Sequence, residues 1–152
     1  MKFLCFVVFV TFLATGSFAQ TNNPLYDSVL AKKLNADEYG MKAYVLVILK
    51  TGSNTTTEKS FVDSCFKGHM ANIKRMVDEG NLCVAGPMGK NEKSYRGIFI
   101  MNVKTFDEAK ALMKNDPAIE SKILEAEMYN WYGSAALPEY LDASDKVWKI
   151  RH

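Results

Sequence analysis

The chain has 152 residues, of which 48% are hydrophobic, 24% charged and 12% aromatic. That is the composition of a folded domain, and it excludes a disordered, collagen-like or low-complexity chain. Nineteen Lys and Arg stand against 17 Asp and Glu, a formal charge of +2 with no basic run, which argues against a nucleic-acid partner.

Met1 to Ala19 reads as a secretory signal. Lys2 supplies a positive start, Phe3 to Leu13 an apolar stretch, and Ser17 and Ala19 the small residues at −3 and −1 before Gln20. The apolar stretch is shorter than the roughly 20 residues that span a bilayer. The expected product is secreted or periplasmic, with no membrane segment after signal cleavage. Two cysteines follow the signal, Cys65 and Cys83. A helix rising about 1.5 Å per residue separates them by more than a disulfide tolerates, so free buried thiols are expected.

Residues 20–41 form a leader, where Leu25, Val29, Leu30 and Leu34 suggest a short amphipathic helix that Gly40 ends. Lys42 to Lys50 is a strand rich in Val, Ile and Tyr, apolar on both faces and therefore central. A polar loop follows, with a glycosylation-like Asn54-Thr55-Thr56 that reads more simply as loop filler. Glu58 to Glu79 carries Val62, Cys65, Phe66, His69, Met70, Ile73, Met76 and Val77 at helical spacing, and Gly80 stops the helix. Leu82 to Ala85 is a short strand closed by Gly86-Pro87, and Tyr95 to Val103 is a third strand. Thr105 and Glu108 form a capping box that opens a second helix, broken at Asp116-Pro117. Ile123 to Trp131 is the last strand. Met70, Met76, Met88 and Met101 are expected to fill the core.

The order is β-α-β-β-α-β, an α+β, ferredoxin-like arrangement with both helices on one face of a four-stranded antiparallel sheet. The other face of the first strand is left uncovered, and an exposed apolar sheet face marks an interface. A homodimer with its sheets packed face to face is expected.

Chemistry centres on one residue. His69 lies on the apolar stripe of the long helix, where its ring must find a hydrogen-bond partner. An imidazole there is a candidate general base. Antiparallel helices bring Asp116, and the Gly86-Pro87 turn, toward His69. A carboxylate beside it would fix its tautomer. Gly86 offers backbone N–H groups for a developing oxyanion, while Pro87, Met88, Tyr44 and Trp131 are candidate pocket walls. Each residue also has a plain structural reading: a satisfied core histidine, a helix stop, a turn and core aromatics. Cys65, one turn before His69, offers a weaker Cys–His alternative. No metal site is expected from one usable histidine and two separated cysteines, and no phosphate or dinucleotide loop is present.

These segments resemble the YciI-like (YCII-related) family of small dimeric α/β-barrel proteins. The resemblance is carried by His69-Met70-Ala71-Asn72-Ile73, Leu82-Cys83-Val84-Ala85-Gly86-Pro87, Tyr95-Arg96-Gly97-Ile98-Phe99, Glu108-Ala109-Lys110-Ala111 and Asp116-Pro117-Ala118-Ile119. Ala36 to Met41 and Trp131 to Leu137 are similar to an exported bacterial subgroup. The family-like domain is taken as 42–137, followed by a tail at 138–152. The resemblance implies a fold related to muconolactone isomerase and a His–Asp site at His69 and Asp116. It does not fix a substrate. The leader and tail depart from the family pattern and could cover the cleft or extend the dimer.

Two functions are in view. One is a cofactor-independent lyase or isomerase acting on a small organic molecule. The other is a non-catalytic ligand-binding or dimerisation module. A haem-using relative would further require an open axial position at His69.

Overall fold

Alternating apolar side chains make Met41–Thr51 the central strand, β1, of a sheet ordered β2-β3-β1-β4. A computed structural model describes residues 23–144, 146, 147 and 149. The signal segment, Trp148 and His152 lie outside the described residues. β2 is Leu82–Pro87, β3 Tyr95–Met101 and β4 Leu124–Ser134, and all three pairings are antiparallel. Two connections cross from strand to helix to strand on one side, so the fold is ferredoxin-like α+β.

The helices start and stop where local chemistry dictates. Helix α1 (Ser28–Lys33) is capped by the Asp27 side chain. Helix α2 (Lys59–Asp78) ends before Gly80, whose φ of +73° suits a residue without Cβ. Helix α3 (Phe106–Met113) opens on the complete Thr105–Glu108 capping box. The single turn α4 (Pro117–Glu120) has Pro at its start and Asp116 as its N-cap.

Strand parity divides the side chains. Val45, Val47 and Leu49 of β1, Phe99 and Met101 of β3 and Leu124 of β4 face the helices and join Cys65, Met76, Ala109 and Met113 in the core. The outer face carries Tyr44, Leu46, Ile48, Ile98, Ile100, Tyr129 and Trp131. Part of this face is covered by the chain itself. Tyr44 is 1% exposed, with the Trp131 ring at 5.5 Å and the Lys42 amine 5.0 Å above it. A 3-10 turn (Leu137–Tyr140) runs into helix α5 (Leu141–Ser144), and the Tyr140 hydroxyl donates to the Cys83 carbonyl. Lys33 pairs with Glu139, tying α1 to the same segment. Leu46, Ile48, Ile98 and Ile100 stay half-buried.

Several expectations need adjusting. Met70 and Met88 are 49% and 41% exposed, whereas Met76 and Met101 are fully buried. Among the described residues of the leader only Leu34 is buried; Leu25 and Val29 face outward. β4 continues three residues past Trp131. There Gly133 leaves room for the Trp131 ring, since a Cβ would sit 2.2 Å from it. The segment after Ser134 lies against β2 at Cys83 rather than over His69. Cys65 and Cys83 are buried and unbridged, and Cys83 keeps company with Lys42 and Tyr44 on the outer face. The Asn54 amide donates to the Ser121 carbonyl at 2.8 Å, as loop filler would. Among the described residues, no helix is long and apolar enough to cross a membrane.

Candidate functional site

The middle of α2 presents His69, Asn72 and Arg75 at three-residue spacing, so they share one face of the helix. His69 and Asn72 interrupt an otherwise apolar buried stripe between Cys65 and Met76. The opposing element is the bend between α3 and α4. Gly68 lets it approach: a Cβ there would meet Pro117 Cγ at 2.5 Å. Pro117 thus seats against α2, and the preceding Asp116 is carried into the interior, where it is fully buried.

Asp116 uses both oxygens. Its Oδ1 accepts the backbone N–H groups of Ala118 at 3.1 Å and Ile119 at 3.3 Å, capping α4. Its Oδ2 accepts from the Asn72 amide at 3.1 Å and lies 2.8 Å from His69 Nδ1. Burial by itself would raise the carboxyl. The hydrogen bond and charge of His69, the Asn72 amide and the Ile119 N–H outweigh it and hold Asp116 below the usual carboxylate range.

That charge settles the ring. An ionised carboxylate only accepts, so Nδ1 carries the proton and donates. In the neutral ring, Nε2 then holds the lone pair. Nε2 has no hydrogen-bond partner among the described residues, yet no buried side-chain nitrogen or oxygen there lacks one. Nε2 therefore touches solvent, although the side chain is only 8% exposed. The ring stacks on Phe99 at 5.8 Å and meets the edge of Phe66 at 6.2 Å. The arrangement is an oriented base with one open nitrogen and apolar walls.

The other expected site residues are distributed differently. Gly86 and Pro87 belong to β2 itself rather than to a turn. Gly86 follows Ala85, the cross-strand partner of the Phe99 on which His69 stacks. The Met88 N–H donates to Arg96 at 2.8 Å. Ladder alternation points the Gly86 N–H the same way, into β3. That N–H is spent and does not serve an oxyanion. Met88 lies beyond the strand end. Tyr44 and Trp131 are corrected outright as walls of this site. They pair across β1 and β4 on the outer face, and His69 is on the inner one. Cys65 is bonded to Ser121 rather than to His69.

Asn72 and Arg75 were missed as site residues. The signal was there: a His-x-x-Asn-x-x-Arg spacing within a helix. Reading only the apolar positions of the stripe passed over it.

Two surface hollows, of about 430 Å³ and 520 Å³, lie elsewhere. The first is between α3, α4 and β4, the second beside Asp37 and Tyr132, and neither is lined by His69 or Asp116. Among the described residues no three His, Cys, Asp or Glu side chains are grouped to hold a metal ion. A haem-using site would need an open axial position at His69, and that side chain is only 8% exposed.

No family model matches the chain, and no curated protein matches it. Among solved structures, the chain is similar to 5-chloro-2-hydroxyhydroquinone dehydrochlorinase from Burkholderia phenoliruptrix in complex with 2,5-dihydroxybenzoquinone. The identity is 19%, over 57% of this chain and 92% of that one, with a TM-score of 0.40. At that level the likeness assigns neither activity nor ligand.

Proposed function

We propose that this chain is an exported member of the YciI-like family and a cofactor-independent lyase or isomerase. In this reading His69 Nε2 takes a proton from a carbon or hydroxyl of a small organic substrate. Asp116 holds the ring and balances the imidazolium that forms. The observation that carries it is the pairing of Nδ1 with Asp116 at 2.8 Å while Nε2 stays open. A tied Nδ1 and a solvent-facing Nε2 are what a base requires. The half-buried outer face of Leu46, Ile48, Ile98 and Ile100 supports a homodimer through the sheets. The signal pattern of residues 1–19 supports export.

A second reading is a non-catalytic binding or dimerisation module. It is favoured by the two hollows that avoid His69, and by the role of the pair as a tie between α2 and α4.

One experiment separates them. Small phenols, quinols and keto acids are screened by thermal shift, and binders are incubated in deuterium oxide with the wild type and with His69→Gln. The enzyme reading expects a binder that perturbs the His69 ring resonances and exchanges a carbon-bound proton only with the wild type. Binders that leave His69 unperturbed, or exchange equal in both proteins, support the module.

A further inference from the structure

We infer that Arg75, although it lies away from the open nitrogen of His69, is a positioning residue that holds the Asp116 carboxylate on His69 Nδ1, and with it the ring tautomer, through Asn72. The chain of contacts is continuous. Arg75 Nη2 donates to Asn72 Oδ1 at 2.7 Å and to the Leu112 carbonyl at 2.9 Å. Asn72 Nδ2 donates to Asp116 Oδ2 at 3.1 Å, and the same oxygen faces His69 Nδ1 at 2.8 Å.

Direction follows from donor chemistry. A guanidinium has donors and no acceptor, so it can face only the oxygen end of the Asn72 amide. That choice turns the NH2 end toward Asp116. Without Arg75 the amide is free to flip, and a carbonyl oxygen would then oppose the carboxylate. Asp116 would lose a donor, and Oδ2 would no longer be pinned beneath Nδ1. The Leu112 contact anchors the guanidinium to α3, the element that leads into Asp116. A Glu79 ion pair at 2.8 Å holds its other nitrogen at the surface. Charged groups facing the relay are Asp116 from the α3–α4 bend, and Arg75 and Glu79 from α2.

The inference rests on the reading of His69 as the reacting base, but its readout is the ring itself. Nitrogen-resolved NMR of the full chain reports which ring nitrogen carries the proton, with no need of turnover. Arg75→Met should shift the Nδ1–H to Nε2–H ratio roughly fivefold toward Nε2–H, the effect of about one weakened hydrogen bond. Arg75→Lys, with a single ammonium, should shift it less. In an Asn72→Ala background, Arg75→Met should add nothing further, because the route is gone. Glu79→Gln should leave the ratio unchanged. If Arg75 only stitches α2 to α3, Arg75→Met lowers the melting temperature and the tautomer stays fixed; that result overturns the inference. A shift of equal size in the Asn72→Ala background overturns it too. If Arg75→Met does not fold, Arg75→Lys alone and with Asn72→Ala decides the same question. Failure of the deuterium-exchange test with an intact relay would instead strike the proposed function.

Discussion

The two faces of one sheet bury polar groups in opposite ways. On the inner face, four donors converge on the Asp116 carboxylate and keep it charged. In the buried cluster around Tyr44 on the outer face, the shifts favour the neutral form. Burial pushes Tyr44 up to about 12 from 10.0, raises Cys83 and Tyr140, and pulls the Lys42 amine down. In that cluster the hydroxyls end on backbone carbonyls, Tyr44 on Ser134 at 2.7 Å and Tyr140 on Cys83. The outer cluster is thus closed, and the inner one leaves Nε2 open. Burial alone does not mark a site. Burial that preserves a charge and leaves one ring nitrogen open is the pattern that makes His69 and Asp116 a candidate site.

Removing the charge should separate the faces most strongly. Asp116→Ala strands the His69 and Asn72 donors and uncaps α4, at a cost of about 3 kcal/mol or more; denaturant melts measure it. Next come two glycines. Gly68→Ala drives a Cβ against Pro117, and Gly133→Ala drives one against the Trp131 ring. Each should cost about 1–3 kcal/mol. Only the Gly68 change should move the His69 ring signals, because only Pro117 carries Asp116.

The pH profile sharpens the contrast from both ends. The folded pKa of Asp116 lies below 3.8, so its contribution is present above 3.8 and is lost as pH falls through the folded value. Asp116→Asn should flatten this acid limb. Tyr44 is raised, so its contribution is complete below 10.0 and lost as pH climbs toward about 12. Tyr44→Phe should flatten only the alkaline limb. Urea melts across pH test both. The smallest effect is Tyr140→Phe, which removes one hydrogen bond and should cost about 1 kcal/mol without touching His69.

Element order was legible because apolar periodicity, the Thr105–Glu108 box, Gly80 and Pro117 are local signals. So was the meeting of His69 with Asp116, since the topology places α2 against the bend after α3. Face assignment was not. A strand apolar on both sides, Tyr44 to Leu49, hides which residues point toward the helices, and Tyr44 and Trp131 were given to the wrong side. The Gly86 donor failed for a related reason, because its direction depends on ladder phase. Asn72 and Arg75 escaped because their value lies in mutual orientation, which spacing alone does not display. The 137–144 segment has little periodicity, and its place is fixed by contacts to β2 and α1.

The most direct test is the ring state of His69 in the folded wild type near neutral pH, read by nitrogen-resolved NMR. Only His152 shares its residue type, so assignment needs one variant. The account predicts a proton held on Nδ1 and an Nε2 whose signal responds to added small acids. A ring locked with its proton on Nε2, or one indifferent to every solute, would contradict it.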